Sequence, residues 1–279
     1  MSEVFDTRRC TLGEGPLWHP ERQQLFWFDI LEKRLHTQIN TDQQTWQFDE
    51  HVSAAGWIDR DRLLIASNTK LFEFNIATGT CRDICPLEAD NSVTRSNDGR
   101  ADPQGGFWIG TMGMNAEPGA GAIYRYYRGE LRKLVPDVTI SNAICFAPSG
   151  KTAYYADTDL QKIWRLSLDK QGWPMGTPDV FVDLAADKLF PDGAVVDANG
   201  NLWNAQWGAH RVACYSPDGQ LIDTIEFPAA QISCPAFGGQ DMSTLFATSA
   251  AIGISGDENG LTYSANTSAR GQREHPVIL

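Results

Sequence analysis

The stretch ADPQGGFWIG, residues 101–110, decides the fold, because a cluster of turn formers runs directly into an aromatic, apolar strand. The same order recurs in HPERQQLFWFD (19–29), IDRDRLLIAS (58–67), APSGKTAYYAD (147–157), DANGNLWNAQ (197–206) and GGQDMSTLFATS (238–249). Taking Trp27, Ile65, Trp108, Tyr155, Trp203 and Phe246 as equivalent points, the steps are 38, 43, 47, 48 and 43 residues. A period in this range signals stacked repeats.

Each of these strands is followed closely by another of alternating character: KRLHTQ, KLFEFN, GAIYRYY, QKIWRLSL, HRVACYS and GLTYSAN. Alternation marks a strand buried on one face, and the Asn-Gly, Asp-Gly and Ser-Gly pairs mark turns. A unit of about 45 residues holds four short strands, one propeller blade, and six units fill the 279 residues. The expected fold is therefore all-β, a six-bladed propeller with four-stranded blades, in one domain spanning 1–279. An all-β sandwich of the same composition is the competing arrangement, and it leaves the repeat unexplained.

Composition agrees with an aromatic-rich globular β-protein: 42% hydrophobic, 21% charged, nine tryptophans. The formal charge of −12 opposes nucleic acid and anionic membrane surfaces as partners. The opening MSEVFDTRRCTLGEG lacks the basic start and apolar core of a secretory signal, and no segment reaches transmembrane length, so a cytoplasmic location is expected. The six cysteines contain no CxxC pair, which argues for reduced, mostly buried thiols.

The repeat also singles out a position, about 11 to 13 residues before each reference point, occupied by Glu14, Ala54, Asn97, Asn142, Asp192 and Cys234. Equivalent positions on innermost strands face one axial channel, so four oxygen donors distant in sequence converge. Carboxylates and amides gathered there require a cation between them. Taken singly, Asn97, Asp98 and Asp192 are ordinary turn formers, and Glu14 an ordinary solvated acid. Their common phase favours a site for one divalent metal ion, and hard oxygen donors suit calcium, magnesium or manganese, with zinc tolerating carboxylates.

At these residues the chain resembles the SMP-30/gluconolactonase/regucalcin-like family. The matching pieces are LGEGPLW, RSNDGRADPQGGFWIGTM, GAIYRY, ISNAICFAPSGKTAYYAD and PDGAVVDANGNLW, spread over nearly the whole length. The resemblance implies hydrolysis of sugar lactones to aldonic acids, with one divalent cation in the axial channel. Calcium is the expected ion; zinc, magnesium, manganese and iron are the alternatives. It implies metal ligands at Glu14, Asn142 and Asp192, with Asn97 beside the metal and Arg95 on substrate. Mammalian members carry a substrate-touching acid just after GTM, where this chain has Met114 and Asn115; Glu117 is not assumed to replace it.

The expected partner is a small sugar lactone, and the expected assembly a monomer or weak homo-oligomer. Asp192 is the candidate general base that later protonates the leaving ring oxygen. Trp18, Phe190 and Trp207 are candidate pocket walls. No GxSxG, P-loop or HExxH motif is present, and the five histidines lie far apart. Asp157 and Asp159 read as a blade turn, since an EF-hand glycine and distal glutamate are missing. A phosphotriesterase-like hydrolase and a non-enzymatic calcium-binding propeller are the competing functions. Ring closure predicts that EVFDTRR, left over before the first blade, pairs as an outer strand with the last blade near GQREHPVIL.

Overall fold

The computed structural model describes residues 2–279, and among them there are 24 β-strands and no helix. They form six four-stranded antiparallel sheets. The inner strands are Gly13–His19, Val52–Asp59, Thr94–Ala101, Ser141–Phe146, Phe190–Val196 and Gln231–Gly238. Each inner strand packs against those of the two neighbouring sheets, the last against the first, which closes a ring. The six reference points all fall on second strands, Trp27 on Gln24–Asp29 and Trp108 on Phe107–Gly113 for example.

Burial falls from axis to rim. Gly13–His19 and Gln24–Asp29 are buried along their whole length, whereas the outer strand Asp42–Gln47 is almost wholly exposed. Apolar clusters sit between neighbouring blades: Phe26 and Phe28 of the first blade pack with Leu63, Ile65 and Phe72 of the second. All six cysteines are free; four are buried, and Cys81 and Cys85 lie on one outer strand.

The stretch 101–110 shows why the repeated turn has its composition. Asp102 Oδ1 accepts the backbone N–H groups of Gln104 (2.9 Å) and Gly106 (2.8 Å), while Oδ2 accepts Trp108 Nε1–H (3.1 Å). Asp197 does the same for Asn199, Asn201 and Trp203. One carboxylate therefore fixes the turn and anchors the indole that follows it.

Strand Ser2–Asp6 is the outer strand of the last sheet, so the ring closes by joining its two ends. Its partner is Thr262–Asn266 rather than the tail GQREHPVIL. That tail is engaged beneath the ring: Val277 donates its N–H to Trp57 O, Ile278 to Gly105 O, and Gln272 Nε2 to Phe146 O and Val196 O. Pro276, without an N–H, also suits it poorly to a ladder. Arg8 continues the closure, pairing with Asp6 (2.9 Å) and donating to Thr37 O and Gln44 O of the first blade. Removing residues 1–8 bares the edge Thr262–Asn266 and should lower the melting temperature by about 5 °C or more. An unchanged thermal transition would count against this closure.

Candidate functional site

Every inner strand loses its pairing register partway along, at Glu14/Leu17, Val52/Ala54, Ser96/Gly99, Asn142/Cys145, Pro191/Ala194 and Ile232/Pro235. Such breaks bend a strand and re-aim its side chains. Gly15 and Ala143, directly after Glu14 and Asn142, have positive φ (53° and 56°). At Gly15 a Cβ would collide with Ser53 O, and at Gly193 with Cys234 Sγ, so GEGP and PDGA each carry the glycine their crowded axis needs.

The breaks direct Glu14, Arg95, Asn97, Asn142 and Asp192 into one cavity of about 560 Å³ at one end of the axis. All five side chains are nearly buried. The loops leading into the inner strands are tied down by acids of the second strands. Asp29 accepts the N–H groups of Thr11 and Leu12 ahead of Glu14, and Asp157 those of Thr139 and Ile140 ahead of Asn142. In the blade turn expected of the pair, Asp157 also accepts the N–H of Asp159 (3.2 Å).

The hydrogen bonds assign the amide orientations. Asn142 Nδ2 donates to Thr158 Oγ1 (2.8 Å), and Thr158 in turn donates to Pro191 O (2.6 Å). This leaves the Asn142 carbonyl oxygen facing Asn97, whose Nδ2 donates to it (3.2 Å) and to Ser141 O (2.9 Å). Asn97 Oδ1 accepts from Arg95 Nη1 (2.7 Å), so each amide oxygen takes one hydrogen bond and keeps a second lone pair. Asn204 Nδ2 donates to the backbone carbonyls of Asp192 and Gly193 and holds that strand in place.

Burial dominates the electrostatics of these acids. Burial and then neighbouring Asp98 raise the Glu14 carboxyl to about 8, against the opposing Gly15 N–H and Arg95. Asp192 is raised well above the usual carboxylate range by burial, Glu14 and Asp98. Asp98, buried beneath them, is raised to about 6 by burial, with Ile144 N–H (2.6 Å) and Arg100 pulling the other way. Arg95 is lowered to about 10 by burial, opposed by Glu14 and Asp192. Asp98 raises both Glu14 and Asp192, while Arg95 lowers both of them and Arg100 lowers Asp98.

Among the described residues no three His, Cys, Asp or Glu side chains converge as a metal-holding group. The third oxygen here belongs to an amide, Asn142, which suits a hard cation. The donor set fits a divalent ion, because it combines two mutually repelling buried carboxylates with an oriented amide oxygen and no thiolate.

Of the expected walls, Phe190 and Trp207 line the cavity. Trp18 does not. It stacks on Phe246 (5.5 Å between centroids) within an apolar cluster, its inner-strand position having turned it between blades. Met114 and Asn115 line the opening, whereas Glu117 accepts from Asn115 N (3.0 Å) and Nδ2 (2.9 Å) outside it. Thr158 escaped notice in the sequence, where its only signal is its place directly after the turn acid Asp157.

Architecture and site together define a six-bladed propeller with an oxygen-rich axial pocket. The chain belongs to the SMP-30/gluconolactonase/LRE-like family, whose model matches residues 12–251. It is 35% identical over 262 residues to an L-arabinolactonase of Azospirillum brasilense, covering 91% of this chain and 85% of that protein. It is also 35% identical over 255 residues to a 6-deoxy-6-sulfogluconolactonase of Pseudomonas putida, covering 88% and 86%. A crystal structure described as a calcium-binding protein, regucalcin, from Agrobacterium tumefaciens superposes with a TM-score of 0.97 at 39% identity, covering 100% of this chain and 98% of that one.

Proposed function

We infer that this protein hydrolyses a sugar lactone to the open-chain sugar acid, with a divalent cation held by Glu14, Asn142 and Asp192. The observation that carries this reading is the meeting of those three oxygen donors with Arg95 and Asn97 in one cavity of a chain whose relatives are named lactonases. When bound, the cation supplies Lewis acidity toward the lactone carbonyl. Calcium is the ion proposed first.

The chain's own residues do the rest. Arg95, with one nitrogen committed to Ser96 O and Asn97 Oδ1, keeps its other N–H groups for the substrate's ring oxygens and hydroxyls. Asp192 accepts a proton from the water attacking the carbonyl carbon. It returns that proton to the ring oxygen as the bond from carbonyl carbon to ring oxygen breaks, giving a hydroxy acid. Burial favours this proton uptake, and a positive ion beside the same carboxylate weakens it as a base.

The test is a pH-indicator screen of chelator-stripped protein against aldono- and aldarolactones and a phosphotriester, with Ca²⁺, Mg²⁺, Mn²⁺, Zn²⁺ and Fe²⁺ added back separately. Turnover of at least one lactone with at least one ion is expected. Silence throughout would favour the calcium-binding reading, and turnover of a phosphotriester alone would favour a phosphotriesterase.

Chelation should also leave a signature in stability. Glu14, ordinarily near 4.5 and here near 8, binds more proton in the folded than in the unfolded chain between those limits. Stability is then fullest below about 4.5 and declines as the pH rises toward 8. The histidines whose pKa burial lowers, such as His36 at about 4, oppose this only below about 6.5. Between pH 7 and 8 the chelated protein should therefore lose melting temperature, and saturating Ca²⁺ or Glu14→Gln should flatten the slope. A melting temperature that rises with pH in that window for chelated protein would refute the assignment.

A further inference from the structure

The cavity changes character from floor to mouth. Its floor holds the acids, amides and Arg95; its mouth is walled by Leu31, Met114, Ile140, Phe190, Trp207 and Ile252. Met114, Phe190 and Ile252 are about two-fifths exposed (40%, 42% and 41%), which is unremarkable for single residues but not for three around one opening. Two of the polar groups near them are engaged elsewhere. Asn115 Nδ2 donates to Glu117, and the Thr158 hydroxyl donates to Pro191 O while accepting from Asn142. Glu117, the nearest acid along the chain, is turned to the Asn115 loop.

A polyhydroxylated lactone oriented with its carbonyl toward the floor would press its exocyclic end against these apolar walls. Against the side chains of Met114, Phe190 and Ile252 a primary hydroxyl finds no hydrogen-bond partner, whereas a methyl group covers apolar surface. We propose that the substrate is a lactone whose exocyclic end is apolar, a deoxy-sugar or alkyl-substituted lactone, recognised by the rim Met114, Phe190 and Ile252. This rests on the lactonase reading and adds to it the chemistry of the substrate's far end.

The test compares kcat/KM, with the activating cation supplied, for two matched pairs: D-glucono-1,5-lactone with its 6-deoxy analogue, and L-galactono-1,4-lactone with its 6-deoxy analogue. Each pair differs by one oxygen. The 6-deoxy member should be preferred by about tenfold to 10²-fold in at least one pair, the range over which an apolar pocket discriminates such a change. Phe190→Ser and Ile252→Ser, both at exposed positions, should shrink that ratio by about tenfold, and Met114→Gln provides a third variant should either fail to fold. Equal rates, a preference for the hydroxylated members, or a ratio untouched by the rim variants would overturn the inference while leaving the lactonase reading standing. Silence toward both pairs with turnover of other lactones also overturns it. Silence toward every lactone overturns the lactonase reading itself.

Discussion

Asp192→Asn should lower kcat by about 10²-fold or more and keep it low at saturating cation, because the variant loses the proposed proton acceptor together with a ligand charge. Its fold should survive, since Asn204 holds the backbone carbonyls of residues 192 and 193 and neither bond uses the carboxylate. Glu14→Gln supplies the contrast. It keeps an oxygen and similar volume, so cation affinity falls while metal-saturated protein retains appreciable turnover. Arg95→Ala should chiefly raise KM, the sign of lost uniform binding. Titration of each variant with Ca²⁺ separates these outcomes. Full rescue of Asp192→Asn by metal would reduce Asp192 to a ligand and direct attention to Asp98, the buried acid that raises both Glu14 and Asp192.

The second large effect lies at the opposite end of the axis. Arg100, on the same inner strand as Arg95 and Asn97, pairs there with Glu274 of the tail beneath the ring, and both side chains are largely buried (10% and 7% exposed). Glu274→Ala strands a guanidinium that has lost its counter-charge, and Arg100 Nε already has no partner. Breaking a buried pair from one side costs about 3–5 kcal/mol. In a domain of this size that corresponds to a fall in melting temperature on the order of 10 °C. The double variant Arg100→Met/Glu274→Met should recover part of the loss, because neither member of the pair is left without its partner, while Asp98 loses the opposing charge of Arg100. A single variant melting within about 2 °C of the parent would show that solvent reaches Arg100 and that the tail carries little of the closure.

The tail illustrates how the chain's local chemistry divides from its tertiary organisation. The repeated turn-and-strand units were legible because they depend on neighbours in sequence: Asp102 and Asp197 each bond N–H groups two and four residues on. The in-phase donors Glu14, Asn97, Asn142 and Asp192 were legible for a related reason, since six-fold repetition brings equal phases to one axis, and all four line one cavity. The outer strands were harder to read. Strands such as Asp42–Gln47 and Leu221–Glu226 are largely exposed, so no pattern of burial is imposed on their side chains.

What the sequence determined by itself was therefore the six-fold blade pattern and which side chains share the axial level, both consequences of local periodicity, together with the family, which its motifs resemble. Tertiary structure alone decided the rest. Thr262–Asn266 is the partner of Ser2–Asp6, while the tail bonds Trp57 O and Gly105 O beneath the ring. Trp18 went to Phe246 rather than to the pocket, Thr158 oriented Asn142, and Met114, Phe190 and Ile252 met at one mouth. Thr158 shares the blade of Asn142 and is held by Pro191 of the next, while the others join residues from different blades or from opposite ends of the chain. Their geometry is set by the ring's closure and by the breaks in each inner strand, which no single segment encodes.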